Sequence, residues 1–228
     1  MLYLGETPFN SPSKAVEGDY VLRDSEPFYR IANVDSMDDF FISVVSDSDH
    51  WLFISTRGGL TAGRTDCDSA LFPYYTEDKI RDNAHNTGSR TVVIVEREGK
   101  RSLWEPFAQA HACIYSLTRN LYKNVLGDKL IFEEINNDLG LQFSYSWSTS
   151  DRFGFVKQSS IASIDQRDTK IEILDGIENI LPFGVLAGTQ NELSCLVDAS
   201  TKNELVAHSG LAIDALSSGL SDRAEPSA

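Results

Sequence analysis

Leu141-Gln142-Phe143-Ser144-Tyr145-Ser146-Trp147 alternates without a break. Successive side chains of an extended chain point to opposite sides, so Leu141, Phe143, Tyr145 and Trp147 share one face and Gln142, Ser144 and Ser146 the other. A strand of this kind covers a core on one side and meets water on the other. The same period spreads outward in both directions. Upstream lie Phe28 to Val34, Phe40 to Val45, Trp51 to Ile54, Arg90 to Glu98 and Lys129 to Asn136, with Ile114 to Leu121 alternating in part. Downstream are Phe153 to Ile164 and Lys170 to Leu174. Ser46-Asp47-Ser48-Asp49 and Asn137-Asp138-Leu139-Gly140 separate neighbouring runs, and such clusters favour turns because their side chains bond nearby backbone amides. Helical signals are few: a short turn over Ile177 to Leu186, stopped by Pro182, and a short helix over Asn191 to Ala199. The expected fold is all-β, a large antiparallel β-sandwich with a few short helices, and Trp51, Phe143, Tyr145 and Trp147 turned inward.

The chain has 228 residues with 34 acids and 20 bases, a formal charge of −14. A length of this order buries roughly 70% of the unfolded surface in one piece, so residues 1–228 are read as a single domain. The acidic balance leaves no basic face for nucleic acid and disfavours an anionic membrane surface. No apolar run approaches the ~18 residues of a spanning helix. Cys67, Cys113 and Cys195 are few, odd in number and far apart, which points to reduced thiols and a cytoplasmic protein.

Residues 57–89 break the period and read as one long inserted loop. Connections of that length are commonly functional. Gly58-Gly59-Leu60-Thr61-Ala62-Gly63-Arg64-Thr65 looks like a phosphate loop but has Arg for Lys, and Asp66, Asp68 and Pro73 follow where a helix N-terminus should face the anion. A glycine-rich turn is the better reading. Phe72-Pro73-Tyr74-Tyr75 supplies rings that stack on sugar faces, and with Arg57, Arg64, Asp78 and Lys79 gives the loop carbohydrate-contact chemistry. Arg57, Arg64, Tyr74, Tyr75, Asp78 and Lys79 are therefore the candidate substrate-binding or interface residues. Residues 57–101 hold eight bases and seven acids against 12 and 27 in the rest of the chain, so this stretch is also a plausible contact surface.

His50, His85, His111 and His208 are too scattered for a metal motif, and no cofactor is expected. Glu133-Glu134 and Asp38-Asp39 are adjacent pairs whose side chains diverge in a strand, so neither supplies a paired general acid and base.

Phe153-Gly154-Phe155-Val156, the run Ile171-Glu172-Ile173-Leu174-Asp175-Gly176-Ile177-Glu178-Asn179-Ile180-Leu181-Pro182-Phe183-Gly184, and the tail Ser221-Asp222-Arg223-Ala224-Glu225-Pro226-Ser227 together resemble the N-terminal β-supersandwich, galactose-mutarotase-like, of cellobiose-phosphorylase-like carbohydrate-active enzymes. The resemblance spans roughly residues 20 to 225. It implies a sandwich that precedes a helical (α/α)6 barrel, and the barrel carries that family's catalytic acid and phosphate site. Nothing in this sequence can be the barrel, so no catalytic residue is carried over. The expectation is a non-catalytic domain of a longer glycoside phosphorylase or hydrolase. Its expected partners are carbohydrate, the absent C-terminal barrel and a second copy in a homodimer. A free-standing carbohydrate-binding module and an aldose-epimerase-like enzyme, which needs a His and a Glu facing the sugar, are the alternatives.

Overall fold

The computed structural model describes residues 2–9, 14–73 and 80–216. Chain order begins with a small ribbon, β1 (Tyr3–Leu4) and β2 (Thr7–Pro8), and a hairpin, β3 (Glu17–Arg23) and β4 (Glu26–Ala32). Strands β5 (Phe41–Val44), β6 (His50–Ser55) and β7 (Leu60–Arg64) follow, then β8 (Gly88–Arg97) and β9 (Lys100–Trp104). A meander of β10 (Leu117–Asn124), β11 (Lys129–Asn136), β12 (Leu141–Ser150) and β13 (Gly154–Ser163) comes next. After β14 (Lys170–Glu178), helix α1 (Ala187–Ser200) leads into the hairpin β15 (Thr201–Val206) and β16 (Leu211–Leu216).

All strand pairings are antiparallel, and the chain folds as an all-β sandwich. One layer is a six-stranded sheet ordered β13-β12-β11-β10-β4-β3. Facing it are two three-stranded sheets, β14-β8-β9 and β5-β6-β7. A single apolar core joins the three, with Ile42, Leu52, Ile54, Leu60, Val93, Val95 and Trp104 meeting Leu121, Leu130, Phe132, Phe143, Tyr145 and Trp147. Strand β12 behaves as its alternation requires: Leu141, Phe143, Tyr145 and Trp147 are all buried. Trp51 departs from the expectation of an inward ring. Leu52 and Ile54 hold the buried parity of β6, so Trp51 falls on the opposite face and stays partly exposed.

The segment 57–89 is not one inserted loop. It holds β7, Leu60–Arg64, paired with β6 from Ile54↔Leu60 to His50↔Arg64. Leu60, Thr61, Ala62 and Gly63 are all buried. A strand covered on both sides shows no alternation, which is why the period disappears there. Phe72, Ile80 and Asn83 are also buried, and the last two residues of the segment already belong to β8. A single 3-10 turn, Ile80–Asn83, follows residues 74–79, which lie outside the described residues.

The Gly58-Gly59 pair makes this arrangement possible. Gly58 closes the β6–β7 turn at φ +89°, a region that side chains disfavour. A Cβ on Gly59 would lie 2.4 Å from the Ile80 carbonyl oxygen and 2.6 Å from Asn83 Oδ1. Asn83 in turn donates to the Leu60 carbonyl at 2.8 Å, so the 80–83 turn is clamped on the hairpin. Gly59→Ala is expected to cost about 1–3 kcal/mol in urea unfolding, as overpacking of a tight contact does. A loss below about 0.5 kcal/mol would mean that the 80–83 turn yields freely.

Helix α1 and the β15–β16 hairpin sit at the margin of the sandwich. Val197 is buried, and the Ala187 amide donates to Asp68 Oδ1 at 3.3 Å, but Leu193, Leu196, Leu205, Leu211 and Ile213 are exposed.

Candidate functional site

Two adjacent carboxylates organise the six-stranded sheet from opposite sides. On β11, Leu130, Phe132 and Glu134 share the core-facing parity, while Ile131 and Glu133 face outward. Glu133 accepts from Tyr122 Oη at 2.7 Å, Asn120 Nδ2 at 2.9 Å, Gln142 Nε2 at 2.8 Å and Arg23 Nη1 at 3.3 Å. Every oxygen lone pair that faces protein is engaged, so this carboxylate ties four strands of the outer face together. Burial, followed by the hydrogen bond to Glu133 and its charge, pushes the Tyr122 phenol up to about 12.

Glu134 is fully buried beneath the facing layer. It accepts from Trp104 Nε1 at 2.7 Å, from the Phe107 amide at 2.8 Å and from Arg119 Nε at 2.7 Å. Arg119 is its direct cross-strand neighbour on β10, and Arg119 Nη2 continues to the Ala108 carbonyl at 3.2 Å. A charged pair survives at this depth because all its partners are in place. The consequence is geometric: the loop after β9 is pinned to the sheet through Phe107 and Ala108. Phe107 takes φ +65°, strained for a side chain of its size, and its ring packs edge-on against Tyr145 at 5.2 Å and Phe132 at 6.1 Å.

That pinned loop forms one wall of a cleft of about 350 Å³. The β6–β7 turn brings Arg57 and Gly58 to a second wall. Ala84 and His85, following the clamped 80–83 turn, and Ser89 to Thr91 at the start of β8 complete it, with Tyr145 at the floor. Arg90 and Glu105 form an ion pair at 3.1 Å across adjacent strand ends. Arg57 has no acidic partner among the described residues.

The floor decides how the cleft is read. Tyr145 is 3% exposed, its ring stacks on Phe132 at 4.8 Å and 10°, and its hydroxyl has no hydrogen-bond partner among the described residues. A Cβ on Gly58 would come within 3.2 Å of that hydroxyl, so the glycine leaves it open toward the cleft. Burial holds the phenol well above its ordinary pKa, so it is a hydrogen-bond donor at every physiological pH. The ring is buried while the hydroxyl oxygen is not wholly shut off from solvent, so it can bond a molecule in the cleft. Beside the cleft, Lys157 is held by Asp175 at 2.8 Å, and Thr91 donates to the same carboxylate at 2.6 Å.

Of the sequence candidates, Arg57 lies in this cleft. Arg64 is exposed at the far end of β7, opposite His50, so the structure separates the two arginines. Tyr74, Tyr75, Asp78 and Lys79 lie outside the described residues. Sequence reasoning missed Tyr145, His85, Arg90, Glu105 and the Glu134–Arg119 pair beneath them. No His is a hydrogen-bond partner of Glu133 or Glu134: His50 pairs with Ser48 at 2.9 Å and packs on Phe155. A second concavity of about 520 Å³ lies between Tyr20, Tyr29, Phe40 and Phe41, next to Lys123. Its rings are exposed, whereas the ring at the floor of the Tyr145 cleft is fixed in the core.

Among the described residues no cluster of three or more His, Cys, Asp or Glu could hold a metal ion. No helix among them is long and apolar enough to cross a membrane, and the three cysteines are free. No protein-family model matches the chain, and no curated protein matches it.

Proposed function

We propose that the chain is a non-catalytic β-sandwich domain of a carbohydrate-active enzyme, a glycoside phosphorylase or hydrolase, and that it contacts sugar in the Tyr145 cleft. The observation that carries this reading is the Tyr145 hydroxyl, borne on a buried ring and without a partner among the described residues, at the floor of a cleft lined with Arg57, His85, Arg90, Glu105 and Gln109. A polyhydroxylated ligand suits such a site because each sugar hydroxyl both donates and accepts, while the Phe107 and Tyr145 rings offer apolar surface. The resemblance of the 171–184 run to the cellobiose-phosphorylase-like sandwich gives the same direction.

The exposed Leu193, Leu196, Leu205, Leu211 and Ile213 supply the second half of the reading, contact with a neighbouring domain or a second copy. Apolar side chains left exposed, Leu211 and Ile213 together on one face of the hairpin among them, are a common mark of protein contact. Among the described residues of the 57–89 segment Leu60, Ala62, Phe72 and Ile80 are buried in its own domain, so the α1–β16 margin joins it as a contact candidate.

The test is calorimetric titration with glucose, cellobiose and their derivatives on the wild type and Tyr145→Phe. The variant keeps the ring and removes the hydroxyl. It is expected to weaken binding about tenfold while its melting temperature without ligand stays about the same, since the hydroxyl makes no hydrogen bond to the described residues. Absence of sugar binding by the wild type, or full binding by Tyr145→Phe, would overturn the reading.

A further inference from the structure

Resting on that reading, we infer that the sugar taken by the cleft bears a negative charge, a carboxylate or a phosphate, and that Arg57 is its counter-ion. Three observations converge. The protein carries −14 overall, yet among the described residues the basic groups lining this cleft are Arg57, Arg90 and His85 against a single carboxylate, Glu105. Glu105 is already spent on Arg90, 3.1 Å away, so Arg57 is left without a partner among the described residues. Asp35 shares with Arg57 the lining of a small adjoining cavity of about 30 Å³, forms no ion pair with it, and is not among the residues that line the cleft.

The chemistry favours an anion over a neutral group. Arg57 is exposed and free to turn to a ligand; Arg64 and Arg152 also lack an acidic partner among the described residues, but Arg57 alone of the three lines the cleft beside the Tyr145 hydroxyl. The guanidinium fork matches a carboxylate or phosphate with two parallel N–H donors, and the Tyr145 hydroxyl adds a third donor from below. The floor donor is partly dehydrated, which strengthens its bond to a charged acceptor relative to a neutral one. The Arg90–Glu105 pair closes one side and leaves the net excess of positive charge at the Arg57 side.

The experiment titrates the full chain with glucose, glucuronate, glucose 6-phosphate and inorganic phosphate, at low salt and at about 0.5 M NaCl. At least one of the two charged sugars is expected to bind about tenfold or more tightly than glucose, an advantage that shrinks in salt and disappears in Arg57→Gln. The stronger of the two names the anion. Equal binding of glucose and both charged sugars would overturn the inference and leave the carbohydrate reading standing. A charged-sugar advantage that persists in Arg57→Gln would overturn the role of Arg57. Inorganic phosphate binding as tightly as the sugar phosphate, with no binding of glucose or glucuronate, would overturn the carbohydrate reading itself. No binding of any of the four would overturn both.

Discussion

Glu134→Ala is expected to destabilise the protein by about 3–5 kcal/mol, because it strands the buried Arg119 guanidinium without its counter-charge. It also removes the acceptor from Trp104 Nε1 and from the Phe107 amide. The effect is local as well as global: with Phe107 and Ala108 released, the 105–110 wall of the cleft loses its attachment to β11. The double replacement Arg119→Met/Glu134→Leu separates the charge from the geometry. Exchanging a buried pair for apolar groups of similar size is often close to neutral, so the double variant should recover part of the loss. It should not recover all of it, since the indole and the Phe107 amide still lack an acceptor. Urea unfolding of the three proteins reads these differences. A cost below about 1 kcal/mol for Glu134→Ala would show that the buried pair is not what holds the loop.

Phe132→Ala is expected to cost about 3–5 kcal/mol, the usual penalty for emptying the volume of a fully buried ring. Phe132 is the platform on which Tyr145 stacks, and it also meets the Phe107 ring. Its removal opens space directly under the cleft, so the tyrosine can sink away from the Gly58 turn. Phe132→Leu fills most of that space and should cost less than half as much. Thermal unfolding followed by circular dichroism compares the two. Equal losses would mean that volume under Tyr145 is unimportant and that the cleft floor is held by something other than the stack.

These effects turn on features that were unequally legible in the sequence. The alternation from Leu141 to Trp147 placed Tyr145 in the core correctly, because a half-buried strand writes its burial into every second residue. Strand β7 was hidden for the opposite reason: Leu60 to Gly63 is buried on both faces, and a doubly covered strand has no parity to read. The inward Glu134 did leave a trace. It shares parity with Leu130 and Phe132, so the alternation of β11 already implied a buried carboxylate beside an outward Glu133. Its partners Trp104 and Arg119 are 30 and 15 residues away in the chain, and no local pattern announces them. The cleft is assembled from the 57–58 turn, residues 84–91, the 105–110 loop and Tyr145. Of these the sequence singled out Arg57, through the glycine-rich turn that follows it, and it grouped Arg57 with an Arg64 that the β7 strand carries to the opposite end.

Tyr145 itself illustrates why a site of this kind escapes sequence reading. As one more aromatic on a core face it looks structural, and its ring is. Its hydroxyl is a separate matter, settled by the absence of a side chain at Gly58 and by the strained Phe107 that borders it. A pairing of that sort depends on where two distant turns come to rest, which periodicity does not encode.

The central claim is that sugar contacts the protein at the Tyr145 hydroxyl, and a crystal structure of the protein soaked with the best ligand from the titrations tests it most directly. The account predicts a pyranose in the cleft between the 57–58 turn and the 105–110 loop, with an oxygen within about 3 Å of Tyr145 Oη. A sugar seated instead on the exposed rings of Tyr20, Tyr29, Phe40 and Phe41, with the cleft empty, would contradict it.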